Sequence, residues 1–176
     1  MMVKETGIEG LLILEPKVFK DPRGYFFESY RKEQLDKAGL AYDFIQDNQS
    51  RSSQGVIRGL HFQKAPYEQA KLVRVNHGAI FDVAVDIRTD SPTFGSWFGL
   101  ELSADNHLQI LIPGGFAHGF AVLSDFAIVQ YKCDQYYHPE SESGIRFDDP
   151  DLAIDWKIDP ENVIISEKDR ILPFFK

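Results

Sequence analysis

Short strand-like runs recur along this chain, and they constrain its fold more than any other feature. GLLILEPKVF, DFIQDNQSRS, GVIRGLHF, AKLVRVNHG, AIFDVAVDIR, FGSWFGLELS, HLQILIPGG, GFAVLSD and FAIVQYKCDQYY follow one another, divided by turn signals such as Asp21-Pro22, His77-Gly78, Ser91-Pro92 and Gly114-Gly115. Evenly spaced short strands with this punctuation predict an all-β sandwich or barrel. One helix is predicted over Tyr30–Ala38, with Ser29 as its N-cap and Gly39 as its stop, and a short second helix from about Ser166 to before Pro173. No repeat and no linker-like stretch divides the 176 residues, so a single domain over 1–176 is expected.

In AIFDVAVDIR, residues 79, 81, 83, 85 and 87 share a face that reads as core. The opposite face carries Asp82 and Asp86, and so either meets water or lines a polar cavity. In AKLVRV, Lys71 lies in line with Val73 and Val75, which suits a cavity wall better than a solvent face. In GVIRGLHFQ, Arg58 and His61 stand three apart and would face opposite ways on a regular strand. Gly59 between them predicts a bulge, which shifts the side-chain phase by one and turns both into one cavity.

The net charge of −8 excludes a broad nucleic-acid footprint, which needs a basic surface. A small anionic ligand remains compatible, because a few inward Arg and Lys residues make a local positive pocket. No run approaches the ~20 apolar residues of a membrane span, and MMVKETGIEG has no signal-peptide character. With the single cysteine, Cys133, this leads to an expected cytoplasmic location.

PGGFAH, residues 113–118, resembles the second conserved motif of cupins, which are small jelly-roll barrels. The cupins' first motif usually supplies a His-x-His pair; the matching place here reads Gly59-Leu60-His61-Phe62-Gln63, with one imidazole. His61 and His118 are fewer than the roughly three or four ligands of a catalytic metal site, so no metal is expected. A pocket of imidazole, cations, phenols and carboxylates points instead to proton chemistry.

Six blocks together resemble one cupin family, the dTDP-4-dehydrorhamnose 3,5-epimerases: DPRGYFFESY, QDNQS, GVIRGLHFQ, PGGFAHGF, YKCDQYYHPESESGIRFDDP and SEKD. They fall in order between about residue 7 and residue 173, nearly the whole chain. The resemblance implies a jelly-roll barrel with one or two short helices, working without a cofactor. It implies a dTDP-linked 4-keto-6-deoxy sugar as substrate, inverted at C3 and C5 on the route to dTDP-L-rhamnose. The ketone acidifies both protons, so the reaction needs a base, an acid on the opposite face, and positive charge near O4.

The resemblance makes His61 the base, a role that suits an imidazole, whose ordinary pKa is ~6.5. It makes Asp169 the carboxylate that orients the base, although Ser166 to Asp169 also reads as a capping box. Alternation makes Asp82 a second candidate. Lys71 matches the family's cation beside the enolate oxygen and Tyr131 its proton donor. Arg23 and Arg58 offer planar forks for the diphosphate. Tyr137 would stack on thymine, and Glu28, Gln46, Asn48, His118, Glu142 and Lys168 would contact the substrate as well. The resemblance also implies a homodimer in which the N-terminal strands cross over, so that Arg23 and Glu28 serve the neighbouring pocket. A relative inverting one carbon, or a ketoisomerase on the same nucleotide sugar, would keep much of this set.

Overall fold

The computed structural model describes residues 1–175; residue 176, the end of the expected domain, lies outside them. Thirteen strands run in chain order: β1 Met2–Glu5, β2 Leu12–Glu15, β3 Phe19–Asp21, β4 Gly24–Phe26, β5 Gln46–Ser53, β6 Ile57–Gln63, β7 Lys71–His77, β8 Ala79–Asp86, β9 Trp97–Ser103, β10 Gln109–Ile112, β11 Phe116–Val122, β12 Phe126–Cys133 and β13 Glu142–Gly144. A six-stranded sheet has the order β1-β2-β10-β7-β12-β5, and a five-stranded sheet the order β13-β6-β11-β8-β9. β3 and β4 form a separate hairpin. All the strand pairings within the sheets are antiparallel. Two such sheets face to face, with sequentially distant strands side by side, make the jelly-roll barrel.

The barrel interior is apolar at one end, where Val73, Val75 and Ile110 of the first sheet meet Ile80, Phe120 and Val122 of the second. Both outer faces are also covered. Leu14, Leu72 and Leu111 on the back of the first sheet pack against Leu35 of helix α1, Lys32–Lys37. On the back of the second sheet, Phe81, Val83 and Val85 pack under Ile145, Leu152 and Trp156 of the C-terminal segment. β8 is therefore buried on both faces. The Val85 face taken as core packs under the C-terminal segment, and the face bearing Asp82 and Asp86 points into the barrel.

The helix limits differ from the sequence reading at one end. α1 begins at Lys32, and Arg31 occupies the cap position with no side-chain cap. Ser29 is not the cap; its carbonyl accepts from Gln109 Nε2 at 2.9 Å. The stop is as expected: Gly39 has φ +78°, and Leu40 N–H returns to Leu35 O at 2.9 Å. Helix α2, Glu167–Arg170, starts at Ser166, whose Oγ accepts from Asp169 N–H at 3.1 Å. No helix among the described residues is long and apolar enough to cross a membrane.

Candidate active site

The two sheets part at one end of the barrel around a cavity of about 310 Å³. β6 supplies one wall through its irregularity. Arg58 pairs with Phe120 and His61 with His118, so two residues of β6 oppose the single Gly119 of β11. That is the bulge predicted at Gly59. Gly59 has φ +120°, and a Cβ there would lie 2.5 Å from Gly119 Cα and 2.7 Å from His118 O, so no other residue fits. Arg58 and His61 accordingly line the same cavity.

His61 is held from behind. Its Nε2 lies 2.7 Å from Asp169 Oδ1, and Gly59 N–H donates to Asp169 Oδ2 at 3.3 Å. The capping-box alternative is half realised: Ser166 caps α2, while the Asp169 carboxylate turns to β6. Burial pushes the Asp169 carboxyl up, but the His61 imidazole and the Gly59 and Ser166 bonds outweigh it and hold the carboxyl below its usual range. Asp82, the other candidate, lies instead 2.9 Å from His118 Nε2, and both are buried.

The facing wall comes from the first sheet. Lys71 and Tyr131 reach the cavity from β7 and β12, with the Lys71 ammonium 6.0 Å from the Tyr131 ring centre. Burial pushes the Lys71 ammonium down and the Tyr131 phenol up. Among the described residues no carboxylate pairs with Lys71.

The mouth carries the remaining polar groups. Arg58 Nε donates to Ser52 Oγ at 2.9 Å, leaving the end of its fork free. Gln46 and Asn48 of β5, Glu142 of β13 and the exposed ring of Tyr137 also line the cavity. Glu142 Oε2 accepts from both Tyr137 OH and Lys168 Nζ, each at 2.7 Å. Arg23 and Glu28 lie elsewhere in the single chain. Arg23 sits on the β3–β4 turn with its side chain 89% exposed and paired to Asp21. Glu28 is engaged by Arg31 and Gln34 outside the barrel. Among the described residues no cluster of three or more His, Cys, Asp or Glu side chains could hold a metal ion.

A model of the family described as dTDP-4-dehydrorhamnose 3,5-epimerase matches residues 5–176. The chain belongs to that family, and is an isomerase. The dTDP-4-dehydrorhamnose 3,5-epimerase of Escherichia coli K12 is 56% identical over 173 residues, 98% of this chain and 93% of that protein. The crystal structure of the Bacillus anthracis dTDP-4-dehydrorhamnose 3,5-epimerase, with TDP and PPi bound, superimposes with a TM-score of 0.96 at 51% identity and covers 99% of both chains. The Legionella pneumophila dTDP-6-deoxy-D-glucose-3,5-epimerase, in complex with dTDP-4-keto-L-rhamnose, gives 0.91 at 48% identity over 99% of this chain and 98% of that one.

Sequence reasoning missed several lining residues of this epimerase, among them Ser50, Gln63 and Gln69. Ser50 was detectable: it shares a face of β5 with Gln46 and Asn48 at period two. The glutamines gave no signal, because their partners are backbone groups of distant loops.

Proposed function

We propose that this chain, acting as one catalytic domain, converts dTDP-4-dehydro-6-deoxy-D-glucose to dTDP-4-dehydro-L-rhamnose, with His61 as the base. One observation carries the reading. An imidazole anchored by a buried carboxylate at 2.7 Å lines one wall of a cavity whose facing wall bears the Tyr131 phenol and Lys71, which no carboxylate pairs among the described residues.

With Nε2–H donating to Asp169, Nδ1 of His61 is the nitrogen free to take a proton from C3 or C5. The electron pair moves into the C4 carbonyl, and the enolate oxygen gains the Lys71 charge. Tyr131 returns a proton to the opposite face of the same carbon, and burial keeps it a phenol until then. The imidazolium and phenolate left behind re-equilibrate with solvent before the second carbon reacts. Arg58 offers its free fork to the diphosphate and Tyr137 its ring to the thymine.

A homodimer belongs to this reading. The β3–β4 hairpin exposes Phe19, Tyr25 and Phe26, an apolar surface suited to a second copy, and Arg23 and Glu28 would then reach the partner's cavity. The cytoplasm is the proposed location, where a buried free thiol such as Cys133 stays reduced.

The test is turnover in deuterated water. Deuterium at both C3 and C5 supports double inversion; label at one carbon identifies a single-site epimerase, and none a different reaction. Tyr131→Phe should keep wash-in while losing inversion, and equal loss of the two would remove Tyr131 from the donor role.

A further inference from the structure

The lip that carries Tyr137 lies between β12 and β13 without strand pairing, at residues 134–138. Glutamine side chains from the cavity wall hold its backbone. Gln69 Nε2 donates to Gln135 O at 2.8 Å, and Gln46 Oε1 accepts from Tyr137 N–H at 3.1 Å. Gln63, only 5% exposed, does most. Its Nε2 donates to Tyr67 O at 2.6 Å and to Tyr136 O at 3.3 Å, and its Oε1 accepts from His138 N–H at 2.6 Å. One buried amide thus brackets Tyr137, bonding the residue before it and the residue after it. The His138 ring stacks on Tyr67 at 3.8 Å, which closes the same bracket.

Both N–H groups of Gln63 are spent on carbonyls, so it has no donor left for a ligand although it lines the cavity. It stands two residues after His61 on β6, on the same face. We propose that Gln63 is the positioning residue for the nucleobase: its amide fixes the Tyr136–His138 backbone and so sets the span from the Tyr137 ring to His61. This rests on the reading of Tyr137 as the thymine-stacking ring. An unpaired loop left free would have to be ordered on binding, at a cost in affinity that a bracketed loop avoids.

The test is titration calorimetry with dTDP and with inorganic pyrophosphate on wild type, Gln63→Leu, Tyr137→Ala and the double variant, with steady-state kinetics alongside. Gln63→Leu should weaken dTDP about tenfold and leave pyrophosphate within about twofold, because pyrophosphate has no base to stack. KM should rise by a similar factor while kcat changes less than about threefold. In the Tyr137→Ala background the same change should cost less than about twofold, since the group it positions is gone. Gln63→Met fills nearly the same volume without adding a charge and keeps none of the three bonds, so it should show the same pattern, and it carries the test should Gln63→Leu fail to fold. Equal weakening of dTDP and pyrophosphate, or fully additive losses, would overturn the proposal. If Tyr137→Ala weakens dTDP but neither Gln63 variant does, only the role of Gln63 falls. If Tyr137→Ala binds dTDP as wild type does, the stacking reading falls too.

Discussion

Asp82 and Asp86 lie four residues apart on the same face of β8, and both are fully buried. Their surroundings differ completely. Asp86 accepts from Arg88 N–H, Nε and Nη2, from Ser91 Oγ and from Thr93 Oγ1. Burial alone would push its carboxyl up, but these donors outweigh it and hold the carboxyl far below the usual range. Asp82 meets only His118 Nε2, and its Oδ1 is buried with no partner among the described residues. Burying a charge is costly, so an oxygen left unfilled calls for a reason. At Asp86 the turn after β8 is tied down by its own side chains. At Asp82 capacity is left open beside an imidazole that lines the cavity. The lysines repeat the contrast, since Lys132 is paired to Asp47 while Lys71 faces the cavity unpaired. Saturation, more than burial, separates the two carboxylates of β8, and Asp82 meets the cavity only through the His118 imidazole that lines it.

The contrast can be broken at several points, in falling order of effect. His61→Ala should lower turnover by ~10²–10⁴-fold, the usual contribution of a general base. It should lower the urea-unfolding free energy by about 1–3 kcal/mol, because the ring is 32% exposed but the buried Asp169 carboxylate is left with the Gly59 N–H in place of its imidazole. Joint collapse of activity and stability would show that the open side also holds the fold together. Asp86→Ala should do the opposite, costing about 2–4 kcal/mol in urea while turnover per folded molecule stays within about twofold. Asp82→Asn keeps the shape and removes an under-satisfied charge, so its cost should stay within about 1 kcal/mol. Similar urea midpoints for the variants at 82 and 86 would leave the distinction between the two carboxylates without energetic content.

Much of this was legible in the sequence because it is local. The period-two runs became strands, Gly59 marked a bulge, Gly39 ended a helix and Ser166 began one. β1, β3 and β4 were not legible as separate strands: they are three or four residues long and exposed at every position, so no alternation marks them. β13 is as short and pairs only with β6. Periodicity could not show that both faces of β8 are buried, because the cover over the Phe81 face comes from residues 145–156. The site was legible in residue type and not in pairing. Asp82 and Asp169 were both candidates for His61, and 108 residues separate the carboxylate chosen from its imidazole. Resemblance pointed to Asp169, while local pattern alone favoured a helix cap. Asp82 and Asp86 look alike in the sequence, since the hydroxyls that saturate Asp86 belong to the following loop.

Acid sharpens the comparison at its saturated end. The folded pKa of Asp86 is depressed, so its contribution is fully present above the unfolded carboxylate value of ~3.9 and is lost as pH falls from there through the folded value. In that window the unfolded chain binds a proton that the folded chain refuses, and stability falls with pH. Asp169, also depressed, adds to the same slope. Urea denaturation from about pH 5 to about pH 3 should therefore show a declining free energy of unfolding. Asp86→Asn removes one of the groups responsible and should flatten the decline by at most about 1.4 kcal/mol per pH unit, the weight of one proton. The variant starts lower at neutral pH, so its curve and that of the wild type should converge toward acid. Parallel curves would mean that Asp86 titrates alike in folded and unfolded chains. The bonds around it would then fill space without holding charge, and the saturated end of β8 would no longer differ in kind from the open one.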